Sequence, residues 1–524
     1  MGKFNKAGFS TAKSQHTILV TSKTPNALTY NGAAGYEYDT LSQLYLLAVS
    51  NMVGEDTFYE SAETRDSRYL QLIHKAVAEG HAEWLARFLP WLRNSANMRS
   101  ASMIGGIEAA IAMVTKNIPG GRQLVNSVLV RADEPGEALA YFVSNYGRSV
   151  PKPIKRGIAD ACARLYTQRN TIKYDTASKG FRFGDVLELC HAAPSEPLYQ
   201  PRLFKHLVDR GKARGEGSSG LFSGLAMLTA HDVLTREAQT RPEVLLNTAR
   251  LRQAGMTWEQ AKSLAGNKVR DLDFWTVMIP EMGYMALLRN LRNFDEADIS
   301  RDLVDIVCAK LRDPDEVARS RQLPMRFLSA YRNVPSNRWA QALDDALELC
   351  LKSVPEFKGS TLILIDTSYS MHVALSAKSQ LKRWDAAAVF GLALAARCEN
   401  AEVVSYSDSF KPFPKVKGES LLRSIARFEK DYFIGQNTAT AEAVRRFYRN
   451  HDRLIILTDE QANPNSGIFA GVPQHTMAVT FNLSGDEVAH AATGPNRIAV
   501  GGLSDAAFTL LSSLDARREQ RWPF

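Results

Sequence analysis

The period of the apolar pattern changes at about Phe357, and no single fold class accommodates both sides of that change. From about Asp39 to Pro355 apolar residues recur at helical spacing and are broken at short intervals. Tyr69, Leu72, Ile73, Ala76 and Val77 lie at i, i+3, i+4, i+7 and i+8 and stop at Gly80. Trp84, Leu85, Phe88 and Leu89 form a second stripe, expected to end at Pro90 because proline removes a helical hydrogen bond. The two stripes predict a helical hairpin. Leu303, Val304, Val307, Cys308 and Leu311 repeat the pattern, with Asp313 and Pro314 closing the helix. No repeat of fixed period is visible, as expected of degenerate two-helix repeats of the HEAT kind. Such pairs stack into a curved solenoid whose extended concave surface suits a long polymer ligand.

Beyond Phe357 short, continuous apolar runs replace the stripes. Thr361 to Ile365 (TLILI) reads as a parallel strand buried on both faces, and further runs follow at Ala401 to Tyr406, Arg453 to Thr458, His475 to Phe481 and Arg497 to Val500. Helical stretches, Trp384 to Cys398 and Thr440 to Tyr448 among them, lie between these runs. Strand alternating with helix predicts a doubly wound α/β sheet. Lys358 and Gly359 interrupt the helical pattern, so the boundary falls within Glu356 to Ser360, giving a mainly α domain over 1–357 and an α/β domain over 358–524. A chain of 524 residues, 45% hydrophobic, has the length to bury two cores.

Composition narrows the setting. Cys162, Cys190, Cys308, Cys350 and Cys398 are odd in number and lack the spacing of a zinc module or a disulfide framework, which predicts free thiols in a reducing compartment. The N-terminus has no apolar run followed by a cleavage site, and no stretch of about 18 uncharged apolar residues occurs. The expectation is a soluble, cytoplasmic protein. The net charge of +8 is modest for this length, but its distribution is not even. From Tyr146 to Arg182 there are nine basic residues (Arg148, Lys152, Lys155, Arg156, Arg164, Arg169, Lys173, Lys179, Arg182) and two acidic ones (Asp160, Asp175). Gathered on one face, such a set neutralises phosphates and releases their counterions; otherwise it is solvated surface. Tyr174, Phe181 and Phe183 lie in the same segment and are either stacking platforms for unpaired bases or core. Arg289 and Arg292, three apart on one helix, share a face suited either to RNA or to structural salt bridges.

A hard-oxygen constellation lies at the edge of the expected sheet. The first strand runs into Asp366-Thr367-Ser368-Tyr369-Ser370, where alternation puts Asp366, Ser368 and Ser370 on one side, beyond the strand's carboxyl end. A carboxylate with two hydroxyls suits Mg2+ or a similar divalent cation that keeps some waters. Asp459, following the run that ends at Thr458, supplies a second carboxylate at the same edge, and Gly435-Gln436-Asn437-Thr438 offers a third loop. Catalytic signatures are missing. Gly211-Lys212-Ala213-Arg214-Gly215 lacks the order of a phosphate loop, His81-Ala82-Glu83 has no second histidine, and no serine stands in a Gly-x-Ser-x-Gly elbow. Two-metal nuclease chemistry requires more carboxylates than Asp366 and Asp459. A non-enzyme is expected.

The second half resembles the von Willebrand factor A fold and its metal-ion-dependent adhesion site: Asp366, Ser368 and Ser370 match the Asp-x-Ser-x-Ser motif, Thr438 the loop threonine, and Thr458-Asp459 the Thr-Asp pair. Asn437 stands where that family carries glycine, which keeps Thr440 open as the alternative to Thr438. The whole chain resembles the TROVE family of Ro autoantigens and their bacterial relatives. The blocks that carry this are Asn31-Gly32-Ala33-Ala34-Gly35-Tyr36, Ile154 to Asp160, Ile172-Lys173-Tyr174 through Asp185, Leu187 and Leu189 to His191, and Pro280-Glu281-Met282 with Ala286 to Leu291. The likeness is weakest between about residues 215 and 270. It implies a TROVE ring of HEAT-like repeats followed by the A domain, small Y-like RNA on a basic outer surface, and single-stranded ends of misfolded RNA in the hole. It further implies an exoribonuclease partner such as polynucleotide phosphorylase, no DNA, no membrane, and a monomer. Carried over by position, Lys155, Arg156, Lys173 and His191 are the RNA contacts, with Arg148, Lys152, Lys179 and Arg182 as basic neighbours. The competing expectation is a metal-dependent adhesion or assembly module, whose Asp366 site takes a carboxylate from a protein partner and which has no direct RNA role.

Overall fold

The computed structural model describes residues 26–28, 34–35, 37–50, 62–176, 180–196, 198–212, 224–322, 324–334, 336–352, 354–374, 382–459, 467–483, 496–503, 506–515 and 522–524. Lys179, most of the block Asn31 to Tyr36, residues 213–215 of the glycine-rich basic segment and residues 517–521 lie outside them. The chain divides into two compact units. The first holds the described residues of 73–283 and 293–306, the second those of 13–72, 284–292 and 307–524.

The first unit is built of helices that pack on their neighbours in sequence. Ala82–Asn94 lies against Arg99–Thr115, that helix against Gly121–Val128, and Gly121–Val128 against Lys152–Leu165. Phe183–Cys190 then joins Lys152–Leu165 to Gln200–Lys212. Some helices bury one stripe, Trp84, Leu85, Phe88, Leu89 and Leu92 in one and Ile154, Gly157, Ile158 and Ala161 in another, while Arg99–Thr115 is buried on every side from Gly105 to Ala110. The helix expected to stop at Pro90 continues to Asn94 with the proline inside it. Leu92 is fully buried and Arg93 binds Glu134 at 2.7 Å, so tertiary contacts beyond the proline offset the lost hydrogen bond. The helix Arg301–Leu311 ends as expected, and Asp313 then caps Pro314–Ser320 by accepting from the N–H groups of Asp315 and Glu316, each at 2.9 Å.

Two helix crossings are as close as backbone allows. A Cβ at Gly157 would stand 2.7 Å from the Arg122 carbonyl oxygen and 2.7 Å from Val125 Cβ, and one at Gly184 would collide with the Leu207 carbonyl. Only hydrogen fits at either place.

The second unit contains a six-stranded sheet in the order Phe410–Phe413, Cys398–Tyr406, Phe357–Asp366, Arg453–Thr458, Met477–Asn482, Arg497–Gly501. All neighbours are parallel except the first pair. The helix Arg383–Arg397 covers one face, with Gly391 against Ile365 and Phe390 against Phe481 and Phe508. Thr440–Phe447 covers the other, where Ala441 and Val444 meet Leu362, Leu364, Val404 and Ile456. Both faces being buried, Arg453–Thr458 and Met477–Asn482 are buried at every residue, which is why the runs show no alternation.

All five strands expected from the apolar runs are present. Phe410–Phe413 was not expected. It is short and contains Pro412, which an antiparallel edge strand tolerates and a central one does not. Lys358 and Gly359 belong to the first strand; Gly359 adopts φ +78° where the register with Cys398–Tyr406 shifts, so the interruption in the pattern marks a bulge. The helix Thr40–Ser50 packs on the strand Arg497–Gly501, with Tyr45 edge-on to Trp522 at 5.0 Å.

Gly157→Ala should destabilise the first unit by about 1–3 kcal/mol, since the added methyl meets a carbonyl rather than a movable side-chain end. Urea denaturation followed by circular dichroism measures this, with Gly80→Ala, where the methyl meets nothing within 4 Å, as the comparison for backbone strain alone.

Candidate functional site

Adjacent parallel strands place two carboxylates side by side. Ile365 pairs with Leu457, so the chain ends of Phe357–Asp366 and Arg453–Thr458 deliver Asp366 and Asp459 to the same edge, both with 0% exposure. The Asp366 Oδ1 accepts from the Ser368 N–H at 2.9 Å, and its Oδ2 from the Thr458 hydroxyl at 2.6 Å. The Ser370 hydroxyl donates to Asp459 Oδ1 at 3.0 Å and lies 3.2 Å from the Ser368 hydroxyl. The structure thus gathers Asp366, Ser368, Ser370 and Asp459 into one cluster.

The third loop is fastened to the first mainly by backbone: Tyr369 N–H donates to the Gln436 carbonyl at 3.1 Å and Gly435 N–H to the Thr367 carbonyl at 2.9 Å, while Ile434 N–H donates to the Thr367 hydroxyl at 3.4 Å. Gly435 and Gln436 take positive φ to make that contact. Thr438 sits half-buried in this loop. Thr440 is buried at the start of the next helix, its hydroxyl 3.2 Å from the Tyr406 hydroxyl.

Burial, and next the charge of Asp459, pushes the Asp366 carboxyl up from 3.8 to about 7. Among the described residues no group of three or more His, Cys, Asp or Glu side chains is placed to hold a metal ion, so the donors here are two carboxylates with hydroxyls. The set fits a hard divalent cation: every donor is oxygen, and two buried carboxylates share one edge, with Arg383 in contact with Asp459 among the described residues.

The basic segment of the first unit sorts into two groups. Arg164 donates to the carbonyls of Asn126 and Leu129 at 2.9 and 2.6 Å, and Arg182 donates to the Asp175 carbonyl at 3.1 Å. Asp175 is buried, also accepts the Phe183 N–H at 3.0 Å, and its carboxyl is raised by that burial. These guanidinium groups hold loops.

Arg148, Lys152, Arg156 and Lys173 are exposed, Lys155 is half-buried, and the first three enter no ion pair among the described residues. Lys155 stands beside Cys190, whose thiol burial pushes up to about 12 against the pull of that ammonium; exposed His191 follows at φ +52° as the helix cap. Tyr174, half-buried, carries Lys173 Nζ 5.1 Å and the Arg131 guanidinium 5.5 Å from its ring centre. Phe183 is core, stacked on Tyr166 at 3.9 Å. In the second unit Arg289 and Arg292 are both exposed, while Leu287, Leu288 and Leu291 bury the opposite side of their helix.

Two features escaped the sequence reading. Arg383 donates to Asp459 Oδ2 at 3.2 Å, and no spacing rule points to it. Glu108, fully buried, binds His74 at 2.7 Å, Tyr141 at 2.6 Å and Tyr146 at 2.8 Å; its signal was a lone carboxylate inside the apolar stretch Met103 to Met113.

Residues 249–338 match the TROVE domain. The match takes in the block Pro280 to Leu291 and begins within the region where the likeness was weakest, and it leaves the blocks at 154–160 and 172–191 outside. A stretch of 80 residues, 15% of this chain, is 38% identical to telomerase protein component 1 of Mus musculus, and one of 77 residues is 38% identical to that of Rattus norvegicus. These stretches span 3% of the length of either relative. The crystal structure of the Deinococcus radiodurans RO (RSR) protein superposes with a TM-score of 0.61 at 17% identity, over 85% of this chain and 92% of that one. The fold is therefore of the class that joins N-terminal helical repeats to a C-terminal α/β sheet. The resemblance to the TROVE family read from the sequence is borne out.

In chelator, Asp366 should make the protein less stable as pH rises. A carboxyl raised from 3.8 to about 7 on folding contributes stability that is full below 3.8 and lost as pH passes 7. The melting temperature of wild type relative to Asp366→Asn should therefore fall across that window, and Mg2+, which requires the ionised form, should reduce the fall.

Proposed function

We propose that the chain is an RNA-binding protein of Ro type, non-catalytic, that holds small Y-like RNA and the single-stranded ends of misfolded RNA. The observation that carries this reading is that Arg148, Lys152 and Arg156 are exposed and without ion-pair partners among the described residues, with Lys155 beside Cys190 and exposed His191 next to it in sequence. Solvated cations left without ion pairs at and before the start of a helix are what a phosphate backbone requires, because each contact releases condensed counterions. The exposed Lys173 next to Tyr174 adds a cation and a ring of the kind used on unpaired bases. The TROVE match and the likeness of fold to the RO (RSR) protein support it further. An exoribonuclease such as polynucleotide phosphorylase is the partner this role calls for. Asp366, Ser368, Ser370, Thr438 and Asp459 form, in this reading, a Mg2+ site. Among the described residues no helix is long and apolar enough to cross a membrane.

A second reading rests on Tyr369 and Val373, 70% and 53% exposed at the rim of the Asp366 loop. An apolar rim around an oxygen-ligated cation suits an acidic protein partner, and this surface would then serve assembly.

Binding to a hairpin RNA with a single-stranded 3′ tail tests the first reading. The logarithm of affinity should fall linearly with the logarithm of salt, and chelator should leave it unchanged. Lys155→Glu with Arg156→Glu should weaken binding by at least about tenfold and reduce the salt slope by about 2. A double variant with unaltered slope removes that patch, and no binding by wild type at low salt removes the RNA role.

A further inference from the structure

We propose that Arg383 is the internal counter-ion of the Asp366–Asp459 centre: it neutralises Asp459 while no divalent ion is bound, and it lowers the affinity of the centre for one. The inference rests on the reading of that cluster as a metal site. Arg383 is only 12% exposed, and its Nη1 lies 3.2 Å from Asp459 Oδ2. It is the first residue of the helix Arg383–Arg397, where the aligned peptide dipoles disfavour a cation. It is nevertheless held there: its N–H donates to the Val373 carbonyl at 2.9 Å, and Asp385 caps the helix through the Lys382 N–H at 2.7 Å. Asp385 is itself fixed by Arg332 at 2.8 Å. The fold thus places a guanidinium in a position with an unfavourable dipole and little solvent, and its partner there is Asp459.

Charge explains the placement. In the fully ionised form that metal binding requires, the two carboxylates carry −2, Arg383 brings the cluster to −1, and a divalent ion brings it to +1. Arg383 offsets part of the desolvation of the buried Asp459 carboxylate, and its loss would remove the guanidinium now 3.2 Å from Asp459 Oδ2. With it, an incoming ion binds against a neighbouring like charge, so part of its attraction is cancelled. The centre stays folded when empty and binds metal more weakly than its carboxylates alone would.

The experiment uses the full chain freed of metal, titrated with Mg2+ by calorimetry and melted across the same Mg2+ series, as wild type, Arg383→Gln and Arg383→Lys. Arg383→Gln should bind Mg2+ at least about tenfold more tightly, melt lower without metal, and gain more in melting temperature from the ion; Arg383→Lys, which keeps the charge, should follow wild type. Equal or weaker Mg2+ binding by Arg383→Gln overturns the proposal, and so does tighter binding by Arg383→Lys to the same extent. If Arg383→Gln is unfolded without metal, recovery of the fold on adding Mg2+ supports the proposal, and failure to recover while Arg383→Lys folds overturns it. No Mg2+ binding by any of the three overturns the metal reading along with this one, whereas binding by wild type with an unchanged Arg383→Gln overturns this one alone.

Discussion

Two carboxylates end neighbouring strands inside a sheet that is covered on both faces, and the local structure of the second unit is organised around their burial. Desolvation of Asp366 and Asp459 is unfavourable, and each hydrogen bond at the edge offsets part of it: the Thr458 hydroxyl and Ser368 N–H on one carboxylate, the Ser370 hydroxyl and Arg383 on the other. The register of the strands makes this arrangement possible. Ile365 opposite Leu457 puts Thr458 within reach of Asp366, and a one-residue slip would turn both carboxylates to other faces. The loop 433–439 completes the edge through main-chain bonds to Thr367 and Tyr369, through Ile434 N–H on the Thr367 hydroxyl, and through Phe433 against Trp384.

What the sequence made legible follows from how completely an element is buried. Strands inside a doubly covered sheet read as unbroken apolar runs, and helices with one buried stripe read at their own period; both were found where expected. Elements whose placement depends on partners elsewhere in the chain were not. Phe410–Phe413 is a strand because it can add to the edge at Val403 to Tyr406, and its proline pointed the other way. The helix through Pro90 persists because Leu92 and Arg93 have distant partners. Gly359, taken as a break, allows a bulge inside a strand, where the Asp452 carboxylate accepts from Ser360 N–H at 2.8 Å.

The same distinction divides the candidate sites. Asp366, Ser368 and Ser370 are close in sequence and alternate, so their convergence was visible, and Asp459 followed from its place after an apolar run. Thr438 and Thr440 could not be separated by motif. Their surroundings differ: one lies in the loop, while the other lies against Tyr406 at the start of a helix. Arg383 had no signal because its role arises from Asp459, 76 residues away. Charge counting over Tyr146 to Arg182 had the opposite weakness, grouping cations whose environments are unlike: Arg164 and Arg182 donate to backbone carbonyls, whereas Arg148, Lys152 and Arg156 remain in water.

Two of that last group, Lys152 and Arg156, owe their exposure to the packing of their own helix. Ile154, Gly157, Ile158 and Ala161 form the buried stripe of Lys152–Leu165, and the approach at Gly157 lets the helix lie directly on the Arg122 carbonyl. Contact that close fixes the rotation of the helix about its axis as well as its distance, because no other residue on that surface is small enough to take the position. With the rotation set, Lys152 and Arg156, four residues apart, project to solvent together. Lys155 is turned toward Cys190 at the end of the neighbouring helix, next to His191. The sequence Lys155-Arg156-Gly157 therefore joins cause and consequence in three residues: a glycine that permits the contact, and two cations whose direction the contact decides.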